Sequence, residues 1–147
     1  MSSFNPETFL NTEISDSFDT ERIAVPEGDF PATLKDFKVR VTNTGSAVMD
    51  VFWIVLDEDV KEETGQAEPM VRQTVWLDMT EDGALDGRKG KNVDLGKLRD
   101  VLGQNQRGQV WTPGMLKGGT AIVKVVHSID RRDGTTIQAD VKSVAKG

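Results

Sequence analysis

The chain has 147 residues, which by the usual prior of roughly 100–200 residues per domain is one domain with length enough to bury a core. Cysteine is absent and His127 is the only histidine, so disulfides, thiolate nucleophiles, zinc–thiolate centres, iron–sulfur clusters and histidine-rich metal sites are all excluded. A net charge of −6, taken whole, argues against a nucleic-acid partner, since phosphate contacts come from Lys and Arg.

The distribution of charge reverses that argument. Residues 1–29 hold seven acids (Glu7, Glu13, Asp16, Asp19, Glu21, Glu27, Asp29) against Arg22, and residues 57–68 hold six against Lys61. The remainder carries 16 bases and 11 acids, a net of +5. Net acidic charge is thus segregated into a leader and one expected loop. Both read either as solvated connections or as devices that steer partners and keep a basic face from sticking indiscriminately. No apolar run approaches the ~20 residues that cross a bilayer. The start MSSFNPETFL lacks the basic and apolar parts of a signal peptide. The expectation is a soluble, cytoplasmic protein with no membrane partner.

In chain order, Asn5-Pro6-Glu7 places an N-cap, a proline at the first helical position and an acid in the first turn, predicting a short helix over about Pro6–Leu10. Leu10, Ile14 and Phe18 recur every four residues, which fits either a longer helix or a strap laid on the domain. Val25-Pro26-Glu27-Gly28 is a stop and turn. From Phe30 the period becomes two. Phe30, Ala32 and Leu34 alternate with polar neighbours, and the apolar set resumes one residue out of phase at Phe37, Val39 and Val41. A slip of one residue flips the buried face, so a bulge near Lys35-Asp36 and a bent first strand are predicted. Thr42–Gly45 is a turn. Ala47–Leu56 is apolar enough for a central strand, and Val71–Leu77 is a third, with Val71, Val75 and Leu77 on one face and Arg72, Thr74 and Trp76 on the other. A helix follows with Asn92 as N-cap, a stripe of Leu95, Leu98 and Leu102, and Gly103 just past its end. Two more strands, Thr120–His127 and Thr135–Val144, flank a turn marked by Asp133-Gly134.

Three motifs fail on inspection. Gly87-Arg88-Lys89-Gly90-Lys91 imitates a phosphate-binding loop, but Leu85 stands where the first glycine belongs and Asn92 where the hydroxyl belongs. What survives is a basic loop able to touch a phosphate backbone. Asp78, Thr80, Asp82 and Gly83 open like a calcium loop, yet the twelfth position is Lys89 rather than Glu. The carboxylates of 57–63 lie in a solvated run without pocket aromatics, so acid–base hydrolysis has no site. His127, with no partner ligand, reads as structural or surface.

Five strands with a helix between the third and fourth is the order of the OB-fold: a mainly β, partly open barrel that binds oligonucleotides on its strand 2–3 face and its 1–2 and 4–5 loops. An open sandwich with a covering helix would give the same pattern. The division is an acidic extension, 1–29, and an OB-fold-like domain, 30–147. On the barrel reading the binding residues are Lys35, Lys38 and Arg40 on the first strand, Phe52 on the second, and Arg72 with Trp76 on the third. Lys124 on the fourth strand and Arg131 with Arg132 in the 4–5 loop complete the set. Cations would meet phosphates and aromatics would stack on bases. Trp53 shares its face with Met49, Val51 and Val55 and is expected in the core, leaving Phe52 on the ligand side with Asp50. Trp111, beside Pro113, is expected to plug a barrel end.

Several stretches resemble a family of bacteriophage single-stranded-DNA-binding proteins with an OB-fold. They are VPEGDFPATLKDFKV, VMDVFWIVLDEDV, LGKLRDVLG and GMLKGGTAIVKVVHSIDRRDGTTIQADVKSV, together spanning roughly residues 25–144. The resemblance implies sequence-independent binding of single-stranded DNA in phage replication or recombination, in the host cytoplasm, with no cofactor and no catalysis. Replication or recombination proteins are the implied protein partners. Bacterial-type members of this functional class end in an acidic tail that recruits replication enzymes. This chain ends Val141-Lys142-Ser143-Val144-Ala145-Lys146-Gly147, which puts that route in doubt. A rival reading is a virion structural or assembly protein whose extension clasps a neighbouring subunit through Phe4, Phe9, Ile14 and Phe18. A homo-oligomer joined through a sheet edge is compatible with either reading.

Overall fold

The computed structural model describes residues 4–18 and 22–147. Asp19 and Glu21 of the acidic leader lie outside the described residues. Helix α1 (Pro6–Leu10) forms as the sequence predicts, with the Asn5 carboxamide oxygen accepting from the Glu7 and Thr8 amides. It ends at Asn11, so the four-residue recurrence of Leu10, Ile14 and Phe18 does not lengthen it. Nor is the segment a strap on the domain: every residue from Phe4 to Phe18 is exposed.

Five strands follow: β1 (Gly28–Val41), β2 (Ala47–Val55), β3 (Met70–Trp76), β4 (Thr120–Ile129) and β5 (Ile137–Ala145). They close into a barrel in the order β1-β2-β3-β5-β4, the OB-like architecture. The open sandwich is thereby set aside. Closure depends on the bend in β1. Its first half, Gly28–Thr33, pairs with β4, and the strand then runs on along β2. The register with β2 shifts between Leu34 and Asp36, where the break in hydrophobic phase predicts a bulge. Bulges raise local twist and bend a strand, which lets one strand serve two neighbours. The second closure, β3 to β5, is parallel and rests on the Arg72–Asp140 pair.

One face of β2, Met49, Val51, Trp53 and Val55, is fully inside, together with Leu34, Val71, Val75, Val123 and Val125. Trp53 is completely buried, and its indole N–H donates to the Gln73 amide oxygen at 2.9 Å, so its one polar atom is satisfied. Helix α3 (Val93–Val101) contributes Leu95 and Leu98 to this core, with Leu102 and Trp111 packed at its margin. Trp111 donates to Gln104 at 2.9 Å and carries the Arg99 guanidinium over its ring at 4.4 Å. The core also takes in Val25. His127 helps hold that segment, its ring Nε2 lying 2.7 Å from the Val25 carbonyl while its backbone N–H donates to the Glu27 carboxylate at 2.9 Å.

Four sequence expectations are corrected. Residues 57–68 are not simply a loop, because helix α2 (Glu58–Thr64) lies within them. Asp57 caps it by accepting from the Val60 amide, Glu58 and Asp59 sit at the favourable end of the helix dipole, and Gly65 takes the left-handed conformation at its end. Val60 and Thr64, one turn apart, are its buried face. Asn92 is the N-cap residue of α3, its C=O accepting from the Gly96 N–H at 2.8 Å, but its side chain makes no capping bond and instead joins the 78–86 loop, bonding Asp78 N–H, Asp78 C=O and Asp86 C=O at 2.8–2.9 Å. Val39 and Val41 are 60% and 70% exposed, since β1 beyond Leu34 has no neighbour on its second edge to cover them. The β4–β5 connection covers 130–136, closed by the Asp130 N–H to Thr136 C=O bond, rather than the expected 128–134, because β4 runs on to Ile129 and β5 begins at Ile137.

Candidate nucleic-acid interface

The outward face of β1-β2-β3 is built of cross-strand rows. Arg40, Val48 and Trp76 are opposite one another, as are Lys38, Asp50 and Thr74, and then Asp36, Phe52 and Arg72, continued by Asp140 of β5. Rows recur every second residue, roughly 6.5–7 Å apart. Five of the sequence-predicted residues, Lys38, Arg40, Phe52, Arg72 and Trp76, are therefore brought onto one surface. Trp76 is 53% exposed, an unusual fraction for an indole on a regular strand. Phe52 is half-buried and lines a shallow cleft of about 300 Å³ with Met70, Arg72, Gln138 and Asp140.

The two connecting loops stand at opposite ends of this surface. The 42–46 turn shares a depression of about 310 Å³ with Asp78, Asp86, Arg88 and Lys91, beside the Trp76 end. The 130–136 loop, with Arg131 and Arg132, adjoins Met70 at the start of β3. Lys35 is set apart at the bulge, bonded to Glu68 at 3.0 Å. Lys124 is not brought to this surface: it lies in the row Asp29–Lys124–Ser143, where β4 joins the first half of β1.

Acids share these rows: Asp50, expected on this side with Phe52, and Asp36 and Asp140, which the strand period does not place. Arg40 donates to Asp50 at 2.7 Å, and Thr74 donates to the same carboxylate at 3.4 Å. That hydrogen bond raises the Arg40 pKa further. Arg72 lies 3.9 Å from Asp140. Arg132 turns back on Asp130 at 2.9 Å and lowers that carboxyl's pKa. Among the described residues, Lys38, Lys124 and Arg131 make no ion pair. The pairs are not equivalent. Lys35–Glu68 is exposed on both sides, and such pairs contribute about 0–1 kcal/mol, so a phosphate can replace the acid at little cost. The Asp50 side chain is only 9% exposed, and withdrawing Arg40 would strand a buried carboxylate, which is far costlier.

Sequence reasoning missed Lys117, which pairs with Asp36 at 3.3 Å and lies 5.8 Å from the Phe37 ring centre. The Phe37 amide first, and Lys117 second, lower the Asp36 pKa. No periodicity links residue 117 to residue 36, so only the fold joins them. The basic loop keeps Arg88 for itself. The Arg88 guanidinium grips the buried Asp86 at 2.7–3.1 Å and, with the Arg88 amide, holds that carboxyl down to about 2. The calcium-like stretch closes on itself, Thr80 bonding both Asp82 and Ala84. No group of three or more potential metal ligands occurs among the described residues, and no helix among them is long and apolar enough to cross a membrane.

No protein-family model matches the chain, and no curated protein matches it.

Proposed function

We propose that this chain binds single-stranded DNA without sequence preference, by stacking bases on Trp76 and Phe52 while Lys38, Arg72 and Arg131 meet the phosphates. The observation that carries this reading is the placement of an exposed indole, a half-buried phenyl ring and the unpaired Lys38 on one outward barrel face with a loop at each end. Base–aromatic stacking is worth ~1–3 kcal/mol per base. Because Asp36, Asp50 and Asp140 lie in the same rows as the cations, stacking carries more of the affinity than charge does. Arg40 acts as a brace through Asp50 rather than as a phosphate ligand. Lys35 and Arg132 add contacts only by exchanging their acid partners for phosphate. The resemblance to phage proteins supports a place in replication or recombination within the host cytoplasm, without cofactor or catalysis.

The test is oligo-dT titration at several salt concentrations. With about three phosphates neutralised, log affinity is expected to fall with log salt at a slope near −2, from −0.7 per phosphate on single strands. No binding at low salt would end the proposal.

A second reading, a structural or assembly protein, is favoured by the N-terminal segment. Phe4, Phe9, Leu10, Ile14 and Phe18 are all more than half exposed, and apolar surface left this open marks an interaction site.

A further inference from the structure

The segment 4–18 holds three acids and no base. Phe9 on α1 and Phe4, just before its Asn5 cap, form a tilted pair with ring centres 5.7 Å apart. This preformed aromatic knob is open to solvent, Phe4 at 76% and Phe9 at 64% exposure. A hollow of about 700 Å³ on the barrel is lined mainly by apolar groups, among them Ile23, Val25, Met70, Ile137 and Ala139. Arg22 lines it too, and the 130–136 loop bearing Arg131 forms its wall. The cavity and the knob are therefore complementary in both apolarity and charge.

We infer that two copies of the chain exchange N-terminal segments, each seating its Phe4–Phe9 pair in the groove of the other beside β3 and the 130–136 loop. The exchange is geometrically natural because residues 22–25, where the segment leaves the barrel, form one wall of that groove. Two grooves brought together by a two-fold axis place each segment's root beside its partner's seat. The 12 residues between α1 and Ile23 can span at most roughly 40 Å. Area also favours reciprocity. Burying the Phe4–Phe9 pair from each segment, at ~150–250 Å² per ring, removes ~600–1,000 Å², and with a comparable area of groove wall covered the total reaches the ~1,200–2,000 Å² of stable interfaces. A single segment would not reach it. The inference does not rest on DNA binding, although the groove shares Met70 and Ala139 with the Phe52 cleft and the loop at its wall carries Arg131.

The absence of native cysteine gives a clean test. A Phe9→Cys chain and an Ile137→Cys chain are mixed and oxidised, with a Phe4→Cys chain as an alternative donor and Val110→Cys, at an 86% exposed site, as the control acceptor. The expected result is a cross-linked species of twice the chain mass with Ile137→Cys and at least tenfold less with Val110→Cys. Light scattering should show the uncross-linked full chain as a dimer that Phe4→Ser/Phe9→Ser converts to monomer. A monomeric full chain, a dimer indifferent to the segment, equal cross-linking at the control site, or a bridge formed within one chain carrying both Phe9→Cys and Ile137→Cys would each overturn it.

Discussion

The outward barrel face and the N-terminal segment both present aromatic rings to solvent, and they differ in everything that holds those rings. Trp76 and Phe52 are fixed by strand register, each in a row with a cation within reach. Phe9 sits on a five-residue helix that buries no residue, and Phe4 lies just before its Asn5 cap. A ring fixed by a sheet is arranged before its ligand arrives, so little ordering entropy is lost on binding. A ring on an unpacked segment gains order only when something covers it. The first arrangement suits a passing strand of bases and the second suits a standing partner.

The sharpest way to break this contrast is through stability. Trp53→Ala empties a fully buried site and leaves Gln73 without its partner, so urea unfolding should show a loss of about 3–5 kcal/mol. Phe4→Ala/Phe9→Ala, measured on the monomeric chain, should change stability by less than about 0.5 kcal/mol. A large loss in the second case would mean that the segment packs on its own barrel. Next in size, Asp50→Ala removes a charge-assisted hydrogen bond, with an expected cost of about 1.5–3 kcal/mol. The same change releases Arg40, so DNA binding should tighten and its salt slope steepen by ~0.7. An unchanged slope would show that Arg40 cannot reach phosphate.

The smallest effect is in pH. Asp86 titrates near 2 because of Arg88, and Asp133 near 2 because of the Thr136 hydroxyl and the amides of Thr136 and Thr135, against an ordinary value of 3.8. Both carboxyls are lowered in the fold, so their contribution is complete above about pH 4 and is lost as pH falls toward 2. Asp86→Asn should flatten the acid limb of a plot of urea midpoint against pH, and a limb as steep as in the native chain would assign acid sensitivity elsewhere.

Much of the barrel is legible in the linear chain because its signals are local. The phase slip between Leu34 and Phe37 marks the bulge, the alternation in β3 separates Trp76 from Val75, and Leu95 with Leu98 marks the inward side of α3. Helix α2 is hidden because acids dominate its composition and its buried face is only Val60 and Thr64. The site is legible in part. Which face Arg72 and Trp76 share follows from strand period, but their acid neighbours follow from pairing. Asp50 meets Arg40 across a strand pair and Asp140 meets Arg72 across the barrel's parallel closure. Lys124 reads like Lys38 as a strand cation, yet barrel closure sends it to the other side, which no period along the chain encodes.

The central claim, that the exposed indole on β3 is the stacking platform, is tested most directly by following tryptophan fluorescence during oligo-dT titration of the native chain and of Trp76→Ala. Saturable quenching is expected in the native chain, with affinity weakened about 5- to 150-fold in the variant, the equivalent of ~1–3 kcal/mol, and with unfolding unchanged. Equal affinity in the two proteins would contradict the account.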